Sequence, residues 1–354
     1  MQTIKGTTTI QRNSPRATDA SILYLVVFAL SLYLISWGAM LLGAYLQQPH
    51  TPSGLSAPIV HRQRVRAQLR QQFVTHNASV LKVAFHPTGD RLLTASSAGE
   101  LKLWSRNGHE LMVLPQNGPS LESLALSPGG EHFAMGGEDG SLRVWDATGQ
   151  AVTVVPAHHD RVTSVAFSPD SRLILTASAD GTAKLWTSKG RLIRTITQQN
   201  SPILTADFNP NGKWIATAIA DGTVRLWDLQ GRPVSKLVGQ TGNSRVVTFS
   251  PDGHLIATAG QDGILRLWTV GGRSRQAFSA HNGRIQAVRF SPDGHLIATA
   301  GQDGCVKLWS IAGKPLLTLK DHHDQINDLS FSAKGDALAA AANTDIRIWN
   351  LSGF

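Results

Sequence analysis

Most of the sequence repeats itself at a nearly constant interval, and this periodicity limits the possible folds more than any other feature. The repeating tryptophans lie 41 residues apart five times and then 40 apart, and a glycine follows each of them by four positions. The segment FSPDGHLIATAGQDG occurs twice, at residues 249–263 and 290–304. An enzyme site would need such a segment only once, so the repetition indicates a repeated structural unit. The seven tryptophans are Trp104, Trp145, Trp186, Trp227, Trp268, Trp309 and Trp349.

Each repeat contains four short apolar segments separated by turn residues. In residues 161–196 the segments VTSVAF, LILTAS, TAKLW and RLIRTI alternate with the turns SPDS, ADG and TSKG. Proline suits a type I turn, and glycine allows the positive φ of a tight turn. The pattern predicts four antiparallel strands per repeat, which is typical of a β-propeller blade. Seven repeats therefore predict an all-β, seven-bladed propeller over residues 66–354.

These repeats resemble those of the WD40-repeat family. Only Trp145 and Trp227 are followed by aspartate, so the resemblance rests on the spacing and the turns. It implies that a histidine, a hydroxyl residue, an aspartate and the tryptophan form a hydrogen-bonded tetrad within each blade. Two repeats supply complete tetrads, namely His158, Thr176, Asp180 and Trp186, and His281, Thr299, Asp303 and Trp309.

The other repeats depart from the tetrad pattern. Gln199 and Gln240 stand at the histidine positions of the fourth and fifth repeats, and Ala98 stands at the aspartate position of the first. The second repeat has Asn117 and Met135 instead of histidine and hydroxyl, and the last repeat has no hydroxyl. Because a partly satisfied buried network is unfavourable, we expect the first, second and last blades to be the less rigid ones.

Residues 21–46, SILYLVVFALSLYLISWGAMLLGAYL, form a stretch of 26 residues without a charge. A bilayer core needs about 20 helical residues. A buried core helix would show a polar stripe, and a cleaved signal peptide would have a shorter apolar run and a small-residue cleavage site. The sequence therefore predicts a single transmembrane helix at 21–46, between a short basic tail at 1–20 and a linker at 47–65. Ala39 and Gly43 form a small-xxx-small pair, which predicts at most a weak homodimer contact.

The orientation of this membrane protein depends on how far the flanking charges are counted. Within fifteen residues the amino side carries Arg12, Arg16 and Asp19, whereas the carboxyl side carries no Lys or Arg. This count favours an amino terminus inside and the propeller on the non-cytoplasmic side. A window of twenty residues adds Arg62, Arg64 and Arg66 on the carboxyl side and evens the count.

The last repeat ends before its fourth strand, and an earlier segment matches the missing piece. Residues 68–76 align with residues 191–199 after a shift of three repeats. We therefore predict that residues 67–75 supply the outer strand of the last blade, which hides an edge that would otherwise invite aggregation. The WD40 resemblance implies that this strand starts on the bottom face, so the top face would point away from the bilayer.

The sequence offers no motif for catalysis, for a cofactor or for a metal. It contains no phosphate-binding glycine loop, no HExxH and no nucleophile elbow. The triplet HHD occurs at 158–160 and 322–324, but the two copies lie four blades apart and each begins with a tetrad histidine. The single cysteine, Cys305, excludes an intrachain disulfide. Residues 76–354 hold 26 basic and 23 acidic residues, and this near-neutral balance argues against nucleic-acid binding.

Two functions remain open at this stage. The WD40 resemblance implies a scaffold that binds a protein or peptide on the top face, around the central channel. Three arginines at the channel mouth would suit an acidic or phosphorylated group, although they are equally compatible with ordinary solvated charges. The alternative is a propeller enzyme or small-ligand carrier that uses the channel, for which we find no convergent carboxylates or histidines. The candidate partner-binding residues are Arg161, Arg245, Arg284, Glu122, Glu138, Gln261 and Gln302.

Overall fold

A computed structural model describes residues 65–114, 120–237, 244–320 and 324–353. These residues belong to a compact unit that spans Arg62–Phe354. The predicted basic tail, transmembrane helix and all but the last residue of the linker lie outside the described residues. Within the described ranges, no helix is long and apolar enough to cross a membrane.

The described residues form seven four-stranded antiparallel sheets, which confirms the prediction of an all-β, seven-bladed propeller. The strands in chain order are β1 (Arg66–Val74), β2 (Val80–Phe85), β3 (Arg91–Ser96), β4 (Leu101–Ser105), β5 (Glu110–Leu114), β6 (Leu121–Leu126), β7 (His132–Gly137), β8 (Ser141–Asp146), β9 (Ala151–Pro156), β10 (Val162–Phe167), β11 (Leu173–Ser178), β12 (Thr182–Thr187), β13 (Leu192–Gln198), β14 (Ile203–Phe208), β15 (Trp214–Ile219), β16 (Val224–Asp228), β17 (Pro233–Leu237), β18 (Ser244–Phe249), β19 (Leu255–Gly260), β20 (Ile264–Thr269), β21 (Ser274–Ser279), β22 (Ile285–Phe290), β23 (Leu296–Gly301), β24 (Val306–Ser310), β25 (Pro315–Leu319), β26 (Ile326–Phe331), β27 (Ala337–Ala342) and β28 (Asp345–Ser352).

Each of the first six blades uses four consecutive strands, from inner to outer. Blade 1 is β2–β5, blade 2 is β6–β9, and the series continues to blade 6, which is β22–β25. Blade 7 has the order β26-β27-β28-β1. The prediction that the segment before the first repeat supplies the outer strand of the last blade is therefore confirmed.

The ring closes through a long antiparallel pairing of β1 with β28. Leu69 lies opposite Trp349, just as Leu192 lies opposite Trp186 in blade 3. Phe73 packs against Trp104 of blade 1, with ring centroids 5.4 Å apart. The strand thus completes blade 7 and also contacts the next blade.

The hydrophobic core lies between neighbouring blades. One cluster combines Leu142 and Val144 of blade 2 with Val162, Ile174 and Trp186 of blade 3. Equivalent clusters join the other adjacent pairs, because the second strand of every blade is almost completely buried between its neighbours. Burial of apolar area at these interfaces stabilises the ring as a whole.

The two faces of the ring differ in the turns that they carry. We call the top face the end with the turns between the second and third strands, and the bottom face the end with the turns that follow the tryptophans. Because Arg66 pairs with Ser352 and Val74 with Asp345, β1 starts at the bottom face and ends at the top. The chain therefore enters the propeller at its bottom face.

Each inner strand carries a β-bulge immediately after its first residue at the top face. The pairing register shifts at this point in all seven inner strands, for example between Leu121 and Ser123 and between Ser244 and Val246. A bulge leaves one residue unpaired and re-aims its side chain. The residue at the bulge is Glu122 in β6 and Arg245 in β18.

Candidate functional site

The three candidate arginines lie at the top ends of inner strands. Arg161 directly precedes β10, Arg284 directly precedes β22, and Arg245 occupies the bulge of β18. Backbone hydrogen bonds fix the first two positions, since Ala179 N donates to Arg161 O at 3.1 Å and Gln302 N donates to Arg284 O at 2.8 Å. These residues come from blades 3, 5 and 6.

The structure brings the three arginines and Glu122 into one electrostatic neighbourhood. Partial burial lowers the pKa of Arg245, and the positive charges of Arg284 and Arg161 lower it further. The carboxylate of Glu122 opposes this shift. Since like charges within reach of one another repel, this cluster would be stabilised by a bound anion.

Within the described part of the chain, no carboxylate forms an ion pair with the guanidinium groups of this cluster, although the charge of Glu122 acts on Arg245. No described side chain or carbonyl accepts a hydrogen bond from Arg161 or Arg245, and the buried Nε atom of Arg284 has no partner there either. An arginine fork without a carboxylate is free to bind an anion bidentately.

The other candidate residues are exposed at the top face, and no hydrogen bond joins their side chains to the arginines in the described part of the chain. Glu138 N donates to Ser120 O at 3.1 Å, and Gln302 is the turn residue bonded to Arg284. Gln261 occupies the same turn position in blade 5 and is also exposed.

The tetrads of blades 3 and 6 fix the turns beneath this face. Thr176 Oγ1 accepts a hydrogen bond from Trp186 Nε1 at 2.8 Å and lies 2.7 Å from His158 Nε2. His158 Nδ1 lies 3.0 Å from Asp180 Oδ2. In blade 6, His281 lies 2.7 Å from both Thr299 Oγ1 and Asp303 Oδ1, and Trp309 Nε1 donates to Thr299 at 3.0 Å.

Burial and hydrogen bonding set the charge states in these networks. Burial lowers the pKa of His158 to about 4, so its ring is neutral at pH 7. Burial alone would raise the pKa of Asp180, but hydrogen bonds from Thr182 and the charge of His158 lower it to about 2. Each tetrad therefore holds one carboxylate negative within the blade.

Blade 1 has a tetrad that the sequence spacing did not reveal. Ala98 occupies the expected aspartate position, but His76 Nδ1 lies 2.9 Å from Glu100 Oε2 and His76 Nε2 lies 2.8 Å from Thr94 Oγ1. Trp104 Nε1 donates to Thr94 at 2.8 Å and completes the network. The expectation that blade 1 lacks the carboxylate is wrong, because the longer glutamate reaches the histidine from two residues further along.

The central channel contains ionisable groups, which corrects a second expectation. A cavity of about 270 Å³ in the channel is lined by residues that include Lys82, Asp207, Arg289 and Asp328. The sequence had predicted no convergent carboxylates here. Alignment of the repeats could have predicted two of these ionisable groups. Asp207 and Arg289 occupy a channel-facing position that is alanine in the first three blades, at residues 84, 125 and 166.

Protein groups already bind the two channel carboxylates. Arg289 Nη2 lies 2.7 Å from Asp328 Oδ1, and Val83 N donates to Asp328 Oδ2 at 3.3 Å. Burial raises the pKa of Asp207 to about 6, although a hydrogen bond from Thr248 and the charge of Arg289 oppose this shift. The bonds of Asp328 link the inner strands of blades 6, 7 and 1.

Metal ligands are not grouped within the described residues. There, no three His, Cys, Asp or Glu side chains lie together as a metal site. Both ring nitrogens of His158 are used in its tetrad, whereas His322 and His323 of the second HHD triplet lie outside the described residues. Cys305 is a free, half-buried thiol.

Two family models match the chain. The model described as the IFT122 first beta-propeller matches residues 79–279, which is more than half of the sequence. The model described as the WD domain, G-beta repeat, matches residues 272–310 and 313–350. No curated protein shows significant similarity to the chain. With the tetrads and the seven-bladed ring, these matches show that the chain belongs to the IFT122 first beta-propeller family and carries WD40 repeats.

Proposed function

We propose that this protein is a membrane-anchored scaffold whose top face binds an acidic or phosphorylated segment of a protein partner. WD40 propellers are in general protein-interaction scaffolds. The observation that carries the proposal is the cluster of Arg161, Arg245 and Arg284, which share one electrostatic neighbourhood and form no ion pair with a carboxylate among the described residues.

The geometry of this cluster suits a flexible anionic segment. The three guanidinium groups come from blades 3, 5 and 6, so they surround the channel mouth instead of lining one groove. A peptide that carries several carboxylates or a phosphate could bind two or three of them at once. Charge-assisted hydrogen bonds are the stronger class, and arginine suits planar oxyanions.

Peptide binding tests the proposal directly. Labelled peptides that are acidic, phosphoserine-containing or basic are titrated with residues 62–354, and fluorescence polarisation reports binding. We expect the acidic or phosphorylated peptides alone to bind. Replacement of Arg245 by Gln should weaken binding by about tenfold or more, because a hydrogen bond to a charged group contributes roughly 1.5–3 kcal/mol.

Arg273 provides the matched control, since it is an exposed arginine on the bottom face. The substitution Arg273→Gln removes the same charge and should leave peptide affinity unchanged. Equal losses from Arg245→Gln and Arg273→Gln would refute a top-face site, because only long-range charge would then matter.

Residues 21–46 support the membrane part of the proposal, because 26 uncharged residues suffice to span a bilayer. The full chain should remain in the membrane pellet after alkaline carbonate extraction, whereas residues 62–354 should be soluble. Trypsin cleavage of the linker arginines on intact cells would place the propeller on the non-cytoplasmic side. Cleavage only in inverted vesicles would place it in the cytosol.

A further inference from the structure

The bottom face carries a band of cations that the proposed peptide site does not use. The residue after the turn glycine is basic in four consecutive blades, 3 to 6, and all four side chains are exposed. The corresponding residues of blades 1 and 2 are His109 and Gln150. Together with Lys189 of blade 3, we call this set the basic rim, and its members are Lys189, Arg191, Arg232, Arg273 and Lys314.

The turn geometry presents the rim side chains to solvent. The backbone carbonyl of each residue after the glycine closes the turn, as in the bonds from Thr187 N to Arg191 O and from Thr269 N to Arg273 O, both 2.9 Å. Because the backbone is fixed in this way, the side chain projects outwards. Among the described residues, only Arg232 of the rim forms an ion pair, with Asp228 at 2.6 Å.

The outer strands extend the same positive surface. Arg194, Lys236 and Arg275 are exposed on β13, β17 and β21, which follow the rim turns of blades 3 to 5. Overall, residues 161–320 contain nineteen Lys and Arg against nine Asp and Glu. Residues 100–160 instead contain eight acidic residues against three Lys and Arg. The near-neutral propeller is therefore strongly polarised around its ring.

Apolar side chains accompany the cations on the same strands. Leu192 and Ile193 are 47% and 43% exposed beside Arg191, and Val234 is 45% exposed two residues after Arg232. Surfaces that insert into the headgroup region combine lysine and arginine with apolar residues in this way. The described rim residues include no aromatic side chain, so the surface lacks the stacking platforms of single-stranded nucleic-acid sites.

We propose that the basic rim binds the anionic phospholipid headgroups of a bilayer. The choice of lipid rests on the proposed membrane anchor, because the linker leads into β1 and β1 starts at the bottom face. A linker of nineteen residues reaches at most about 65 Å when fully extended, so an anchored propeller would stay within that distance of the bilayer. The anchored propeller would then lie on the membrane surface with its top face available to the partner.

Vesicle sedimentation tests this inference with residues 62–354, which include every strand of the closed ring. The vesicles contain phosphatidylcholine alone or with about a third of phosphatidylserine, at about 0.1 M and 0.5 M salt. We expect binding only to the anionic vesicles, and we expect the higher salt to abolish it. The triple variant R191Q/R273Q/K314Q should bind about a hundredfold more weakly, at roughly fivefold for each charge removed.

The matched control is R161Q/R245Q/R284Q, which removes three charges from the top face. This variant should lose peptide binding and keep vesicle binding, whereas the rim variant should do the reverse, so failures of the two proposals are distinguishable. Equal vesicle binding by the rim variant and the wild type would overturn the rim assignment, as would equal loss in both triple variants. Tighter, rim-dependent binding to RNA or DNA at the same salt would overturn the choice of lipid.

Discussion

The basic residue two positions before each tryptophan changes with the tetrad of its blade. It is lysine in blades 3 and 6, where Lys184 Nζ donates to Ala157 O at 2.7 Å and Lys307 Nζ donates to Ala280 O at 2.6 Å. It is arginine in blade 2, which lacks the histidine, and there Arg143 Nη2 lies 2.8 Å from Asp139 Oδ2. The longer arginine thus supplies the partner that histidine gives to the aspartate elsewhere.

The tetrad hydroxyl should matter more than its single hydrogen bond suggests. Thr176→Val keeps the shape but leaves Trp186 Nε1 and His158 Nε2 without their shared partner inside blade 3. We expect a loss of about 1–3 kcal/mol in the free energy of unfolding, because buried groups become unsatisfied. Thr318→Val, at an exposed site on β25, is the control and should have little effect in urea unfolding. A Thr176 variant as stable as this control would contradict the role.

Asp207 should make the propeller less stable as the pH rises. Its pKa is raised to about 6 in the folded protein by burial, above the ordinary value of 3.8. Between these values the unfolded chain releases a proton that the folded chain keeps, so stability falls as pH increases through this window. Above pH 6 the ionisation of Asp207 lowers the free energy of unfolding by on the order of 2–3 kcal/mol.

Asp207→Asn removes this titration and keeps the shape of the side chain. The variant should be more stable than the wild type at pH 8, and the difference should shrink towards pH 5. Comparison of the two proteins by urea unfolding across this range cancels the histidines, which titrate in both. A constant difference across the range would show that Asp207 does not titrate there.

The spacing of the repeats predicted the tetrad residues that occupy the same position in each blade. It missed residues that serve the network from another position. The histidine, threonine and tryptophan positions follow from the 41-residue period because the strands hold them in the same register in each blade. The spacing did not predict Glu100, because glutamate is one methylene longer than aspartate and reaches His76 from a different position in the repeat. The spacing also did not predict the grouping of the channel carboxylates, because the sequence of one inner strand does not show which blades face it across the channel.

At the scale of the elements, strands and turns were predictable but their irregularities were not. The apolar segments of each repeat became strands, and proline and glycine marked the turns as expected. The bulge in every inner strand has no sequence signature, since its residue varies from Glu122 to Thr163 to Arg245. This bulge holds Arg245 where the charges of Arg284 and Arg161 act on it, so part of the candidate site depends on backbone geometry that the sequence does not display.

In blades 1 to 6, the glycine four residues after the tryptophan has a second role besides its turn. Gly190 has φ of +80°, and a Cβ there would lie 2.6 Å from Thr153 Cγ2 on the outer strand of the preceding blade. Gly89, in the turn between β2 and β3, also has a positive φ of +77°, but a Cβ added there would have no atom within 4 Å. Substitution of Gly89 therefore tests only the backbone conformation of a turn, whereas substitution of Gly190 tests that conformation and the packing between blades.

Gly89→Ala should therefore cost about 1–2 kcal/mol, from the left-handed backbone alone. Gly190→Ala should cost about 1–3 kcal/mol more, because the new methyl group overpacks the interface between blades 2 and 3. Thermal unfolding of both variants measures the difference, and Thr153→Ala combined with Gly190→Ala should recover part of it. Equal losses at the two glycines would mean that only the turn matters.

At the scale of the whole molecule, the propeller has little net charge, but its acidic and basic residues lie in different blades. The near balance of acidic and basic residues in the propeller argued against nucleic-acid binding and gave no sign of a large basic surface. Folding separates these charges, because the acidic stretch falls in blades 1 and 2 and the basic one in blades 3 to 6. Net charge per domain therefore underestimated the fields that the blades create, whereas charge per repeat would have revealed them.

Ring closure by β1 should be essential for a stable monomer. Eight residues of β1 pair with β28, and Phe73 also packs against Trp104 of the next blade. Residues 76–354 lack this strand, so the edge of β28 and the adjoining apolar surface would be exposed. We expect this truncated chain to aggregate or to melt well below residues 62–354, which retain the strand.

Restoration in trans distinguishes strand pairing from a general effect of truncation. A peptide of residues 65–76 should return the truncated chain to a monomer in size-exclusion chromatography and should raise its melting temperature. The same peptide with Phe73→Ser should restore less, because its backbone can pair but its side chain no longer contacts Trp104. A truncated chain that is monomeric and stable without any peptide would show that six complete blades and three strands of the seventh already suffice to close the ring.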